Sequence, residues 1–204
     1  MSDRLVSKSE KRSPGFTLIE LLIAIAILGM TVAVAMPALL TIERHAAARA
    51  AAGEIRGIFS ACRSRAIARG THSGVKFIHA ADGWSYALYD DGNGNGIRNQ
   101  DIADGIDRMI ARPRRVLSHA KTATIALLPF KVLDPDGDPL LPNKPAVQFG
   151  NSTIASFSPL GAATPGTIYL SDTVGELYAV RLYGASAKVR LLRYDLAAKK
   201  WDAR

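Results

Sequence analysis

Cysteine is nearly absent: Cys62 is the single one in 204 residues, so no disulfide can close within the chain. A domain exported to an oxidising compartment would have to hold its fold by packing and hydrogen bonds alone. A lone thiol on a helix serves more often as a small core residue than as a reactive group. The four histidines, His45, His72, His79 and His119, are scattered without metal-ligand spacing. No nucleophile elbow, Walker loop or paired-carboxylate arrangement is present. Catalysis therefore finds no support, and a non-enzymatic role is expected. Acids are also the scarcer charge, 18 against 26 bases, for a net charge of +8. Such a balance favours anionic partners, nucleic acid or phospholipid headgroups, and says nothing about fold.

Charge is missing altogether from one long stretch, with a single exception. Phe16 to Met36 spans 21 residues, and Glu20 is the only charged one. About 20 apolar residues are what a membrane helix needs. A lone carboxylate near its start costs about 2.5–3.5 kcal/mol on insertion scales, so it calls for a partner. In front lies a polar leader, Met1 to Gly15, carrying Arg4, Lys8, Lys11 and Arg12. Its basic residues should keep it on the cytoplasmic side while the remainder crosses. An ordinary secretory signal is cut after its apolar region. Here a cut at Gly15-Phe16 explains Glu20, and a cut near Val32-Ala33-Val34-Ala35-Met36 does not.

The string Gly15-Phe16-Thr17-Leu18-Ile19-Glu20-Leu21-Leu22 resembles the cleavage and N-methylation motif of type IV pilins and type II secretion pseudopilins. The resemblance implies that a prepilin peptidase cuts after Gly15 and methylates the new amino group of Phe16. Glu20 then stands where the family has its assembly glutamate, able to pair with the Phe16 amine of a neighbouring subunit and set the axial register. Pro37 stands where many members carry a proline. Lacking an amide donor, it should bend or loosen the helix near the membrane boundary.

Helical character continues past the membrane. Ala38 to Arg69 is rich in alanine, a strong helix former. Ile55, Ile58, Phe59, Cys62 and Ala66 fall on one apolar stripe at helical spacing. Gly70 suits a C-cap, with Arg69 favourable at the negative end of the dipole. Phe16 to Arg69 as one helix would be about 80 Å long. Its end, Cys62-Arg63-Ser64-Arg65-Ala66-Ile67-Ala68-Arg69-Gly70, is similar to the helix end of the GspH/FimT subfamily, with Cys62 where that pattern has alanine.

After Gly70 the pattern turns to strands. His72 to Ala80 and Trp84 to Tyr89 read as a hairpin around Ala81-Asp82-Gly83. Met109 to Val116 and Thr122 to Leu128 read as strand fragments. Asp134 to Pro145 reads as an irregular, proline-rich loop. Thr153 to Phe157, Thr167 to Ser171, Leu177 to Tyr183 and Lys188 to Tyr194 read as short strands. The expected fold is α+β: one long N-terminal helix, membrane-spanning in its first half, packed on an antiparallel sheet or small sandwich. The divisions are a leader 1–15, a transmembrane segment 16–36, a periplasmic helical half 37–70 and a GspH-like β-rich domain 71–204.

Two further candidates lie in the β-rich part. Asp91-Gly92-Asn93-Gly94-Asn95-Gly96 fits the first half of an EF-hand-like loop, with oxygen donors at alternate positions and glycine at the sixth. Asp91, Asn93, Asn95 and Asp101 are the candidate Ca2+ ligands, although the twelfth position is Ile102 and Asp101 comes one residue early. The same residues suit a tight Asn/Gly turn. Lys188, Arg190 and Arg193, near Tyr194 and Trp201, are candidate DNA contacts, with bases stacking on the aromatics. The local Ala187-Lys188-Val189-Arg190 is weakly similar to the Gly-Arg-x-Arg stretch of FimT-related DNA-binding minor pilins. A solvated strand face with a frayed tail is the plainer reading. Arg112, Arg114 and Arg115 form a second basic cluster.

The resemblance implies a minor pilin or pseudopilin of the bacterial inner membrane with its C-terminal domain in the periplasm. Its partners would be the prepilin peptidase, other pilin or pseudopilin subunits and the inner-membrane assembly platform. It would join a type II secretion pseudopilus or a type IV pilus tip; the alternative is a FimT-like subunit for DNA uptake.

Overall fold

In this computed structural model residues 15–81, 83–116, 123–172 and 175–203 are described, without the side chains of 37–45. Residues 1–14 of the expected leader, Asp82 of the expected hairpin turn, His119, Thr122 and Arg204 lie outside the described residues. The chain divides into two units, Met1–Thr41 and Ile42–Arg204.

In the first unit, helix α1 (Leu18–Arg69) begins one residue after Thr17, whose Oγ1 accepts the Glu20 N–H at 3.3 Å. Thr17-x-x-Glu20 has the spacing of a capping box, and an acid in the first turn suits the helix dipole. The stretch Leu18–Met36 has a mean hydropathy of 2.6 and is exposed along its length. It is long and apolar enough to cross a membrane. The helix runs through Pro37 without interruption; the bend expected there remains an expectation.

In the second unit the apolar stripe is buried as its spacing predicts. Ala48, Ala51, Ala52, Ile55, Ile58, Phe59, Cys62 and Ala66 form one face of α1 in the main core. Alanines on that face bring the backbone close to its neighbours, and Phe59 supplies the bulk. The helix stops at Gly70, whose φ of +66° is a conformation only glycine adopts freely.

Two antiparallel sheets receive the helix. The first runs β3 (Arg108–Met109), β2 (Gly83–Asp90), β1 (Ser73–Ala80), β8 (Ile154–Phe157), with β4 (Arg114–Arg115) also on β2. The second runs β12 (Lys200–Ala203), β11 (Val189–Asp195), β10 (Leu177–Leu182), β9 (Gly166–Ser171), β7 (Val147–Phe149). A two-stranded piece pairs β5 (Val132–Leu133) with β6 (Pro139–Leu140). Phe59 joins the layers: its ring lies 6.2 Å from Phe77 of β1, 5.7 Å from Phe149 of β7 and 5.9 Å from Phe157 of β8. Such ring pairs add about 0.5–1.5 kcal/mol each beyond the area they bury. The fold is α+β with a long N-terminal helix, as expected.

Alternation along β10 serves two cores. Tyr178, Val180 and Leu182 face the helix side. Leu177 and Ala179 face a second cluster with Leu128, Val132, Leu140 and Tyr194, against which Trp201 packs. Several expected boundaries need correction. Within the described part of the expected strand Thr122–Leu128, pairing is confined to one bridge, Thr124 with Ser171, and no strand forms. The strand fragments expected over Met109–Val116 are β3, which starts one residue earlier at Arg108, and β4. The helix α2 (Asn99–Ala103) and strands β5, β6, β7 and β12 were not anticipated. The tail is a paired strand, not a frayed end.

Candidate functional site

The N-terminal site is built from very few residues. Gly15, Phe16 and Thr17 precede the helix and have no regular structure. Phe16 is 78 % exposed, and nothing lies within 4 Å of where a Gly15 Cβ would stand. Gly15 and Phe16 are thus both exposed at the start of the helix. Four residues on, exposed Glu20 is the single ionisable side chain in the apolar stretch. Residues 11–36 match the family model described as the prokaryotic N-terminal methylation motif. The chain carries a type IV pilin-like prepilin signal. That motif implies processing by a prepilin peptidase and assembly with other pilin-like subunits, which are structural proteins. No curated protein and no solved structure matches the chain.

The Asp91–Asp107 loop is closed by its own hydrogen bonds. Asp91 Oδ1 accepts the N–H groups of Asn93 at 2.9 Å and Gly94 at 2.8 Å. Asp91 Oδ2 accepts Gly96 N–H at 2.7 Å and lies 3.2 Å from His72 Nδ1. Asn93 Oδ1 accepts Asn95 N–H at 3.3 Å. Burial pushes the Asp91 carboxyl up, but the three amides and His72 together outweigh it and hold the group below its ordinary value. Asp107 spans the loop, accepting Gly92 N–H at 3.3 Å and Arg98 N–H at 3.0 Å. Asp101 sits on α2, buried, with Oδ2 lacking a hydrogen-bond partner. Among the described residues no three acidic, histidine or cysteine side chains converge to hold a metal ion. The tight-turn reading accounts for each of the bonds named. Calcium on Asp91, Asn93, Asn95 and Asp101 is a proposal that leans on the sequence pattern. His72 and Asp107 carry more of the geometry than sequence spacing suggested, and no local signal marks them because their partners are distant in sequence.

The basic candidates separate. Lys188, Arg190 and Arg193 do not form one cationic face. In a strand, residues three apart point to opposite faces, so Arg190 and Arg193 are split by the pleat of β11. Arg193 donates two hydrogen bonds of 3.0 Å to Glu176, so its charge is already matched. Arg181 is likewise held by Asp136. Arg190 lies over the Tyr183 ring, 5.7 Å from its centroid. Tyr194 is buried, and Trp201 packs beside it while donating its indole N–H to Leu133 O at 2.8 Å. Arg112, Arg114 and Arg115 are exposed on and beside the short strand β4. Lys188 lines a cleft with Arg56 and Arg63 of α1.

Proposed function

We propose that the chain is a minor pilin-like subunit of the GspH/FimT kind, made as an inner-membrane precursor and assembled into a type II secretion pseudopilus or a type IV pilus tip. One observation carries this reading: a single carboxylate, Glu20, sits in an otherwise apolar exposed helix, close behind the bond the motif's peptidase would cut. A carboxylate in lipid needs a positive partner, and cleavage after Gly15 creates one at Phe16. The partner has to come from another subunit to join protomers. The α+β domain and the Arg63 to Gly70 helix end support the subfamily assignment. In this reading the domain after the helix faces the periplasm, where it meets other subunits and the assembly platform.

The test is mass spectrometry of the protein purified from its native membrane. The expected first residue is N-methylated Phe16. A chain that still begins at Met1, or one that begins well downstream of Phe16, overturns the reading. The DNA-uptake alternative has less support, since Arg193 is committed to Glu176 and Tyr194 to the core.

A further inference from the structure

A cleft of about 270 Å³ opens between α1 and the turn joining β10 to β11. Arg56, Ser60 and Arg63 line it from the helix, Ser186 and Lys188 from the turn, with Phe59 as its floor. The spacing dictates the first wall. Arg56 and Arg63 are seven residues apart, two helical turns, with Ser60 between them on the same face. The second wall depends on Ala187, a buried non-glycine residue with φ of +48°. L residues adopt that region only at a cost. Burial of the Ala187 methyl in the main core holds it there, and Lys188 then lines the cleft opposite the arginines.

No acidic side chain among the described residues lines this space. Among the described residues, neither Arg56, Arg63 nor Lys188 is paired with an acid, whereas Arg65, Arg181 and Arg193 all are. Three like charges around one cleft repel each other, and an anion seated between them removes that repulsion. The lining supplies donors from two separate elements, α1 and the turn, among them the hydroxyls of Ser60 and Ser186. A planar carboxylate offers two oxygens in one plane. A phosphate offers several oxygens in a tetrahedral array with more charge, which suits guanidinium donors arriving from different directions.

We propose that this cleft seats a single phosphate group, either of a soluble phosphorylated molecule or of a phospholipid headgroup. The test is calorimetric titration of the full chain in dodecyl maltoside micelles, whose headgroups carry no phosphate, using inorganic phosphate as the probe and acetate as the comparison. Phosphate should bind saturably and at least about tenfold more tightly than acetate, the worth of one or two charge-assisted hydrogen bonds. R63Q and K188Q should each weaken it by about tenfold, while R112Q, which removes an equal charge elsewhere, should leave it unchanged. Two surface variants guard against misfolding of one, and an unchanged melting temperature confirms that each is intact. Repeating the titration in nanodiscs containing phosphatidylglycerol separates the sources. Weaker apparent phosphate affinity there, abolished as a difference by R63Q, assigns the headgroup; identical affinity assigns a soluble ligand. Absence of saturable phosphate binding at low salt overturns the proposal. So does equal loss in R112Q, acetate binding as tight as phosphate, or a response to a short oligonucleotide without one to phosphate.

Discussion

Arg65 holds Asp90 through both carboxylate oxygens, Nε to Oδ1 at 2.7 Å and Nη2 to Oδ2 at 2.6 Å. Arg65 lies in the last turns of α1, and Asp90 is the last residue of β2, opposite Ser73 at the start of β1. The pair therefore ties the helix end to the open end of the first hairpin. Arg69 adds a longer contact of 3.5 Å to the same carboxylate. The Arg65 hydrogen bonds are the main reason the Asp90 carboxyl is held below its ordinary value, against the opposing effect of burial.

Arg65→Ala should cost about 2 kcal/mol of stability, the usual range for hydrogen bonds to charged groups. Thermal or urea unfolding of the detergent-solubilised chain measures it. The pH dependence has a definite sign. A carboxyl depressed in the folded state contributes fully above its ordinary value near 4 and loses that contribution as pH falls through the folded value. Wild type should lose stability on acidification below about pH 4, and Arg65→Ala should show a shallower loss. Equal acid slopes in the two proteins would mean that Asp90 owes nothing to Arg65.

Cys62 is 1 % exposed in the helix face that meets the sheets. Burial pushes its thiol up to about 12, with the nearby Arg65 charge pulling slightly the other way. Only the thiolate is nucleophilic. Iodoacetamide at pH 8 should leave the folded chain unmodified and label it fully in denaturant, read by intact mass. Labelling of the native chain at the rate of a free peptide thiol would show that the helix face opens.

Asp91→Ala removes the acceptor for three backbone N–H groups and leaves them to find water inside a closed loop. The expected loss is about 3 kcal/mol, from unsatisfied donors near a formerly charged acceptor. The loss should persist in excess chelator, because the partners are the protein's own amides. Calcium added to wild type reports separately on the ion: any specific binding raises the melting temperature by mass action. A variant as stable as wild type in chelator would show that the loop is not held by Asp91.

Much of this was legible before the structure. The apolar helical stretch Leu18–Met36, the stripe from Ile55 to Ala66 and the Gly70 stop all follow from spacing that local physics sets within one helix. The hairpin of β1 and β2 was legible for the same reason, since its turn is short and its strands are long. The pieces that were missed are two to five residues long and depend on partners far away. β7 exists because β9 pairs with it, and β12 because β11 does. The split of Arg190 from Arg193 was present in the strand period. The loss of Arg193 to Glu176 was not, because that pairing needs the β10–β11 register. The cleft of Arg56, Arg63 and Lys188 was invisible for a similar reason: its walls are more than 120 residues apart in the chain.

Glu20 has two uses that a single substitution would confuse. Its backbone N–H is taken by Thr17 Oγ1, so it belongs to the helix cap as well as to the proposed subunit contact. Glu20→Ala removes the carboxylate and keeps the capped N–H. Thr17→Ala removes the cap, at about 1 kcal/mol, and keeps the carboxylate. Processing should survive in both, since the cut lies upstream at Gly15-Phe16. Incorporation into sheared fibres, measured by immunoblot against the membrane fraction, should fall about tenfold or more in Glu20→Ala, the effect of losing one charge pair in lipid. It should fall far less in Thr17→Ala. If Glu20→Ala subunits enter fibres as well as wild type, the carboxylate does not join protomers. If Thr17→Ala is equally defective, the helix start rather than the charge is what assembly requires.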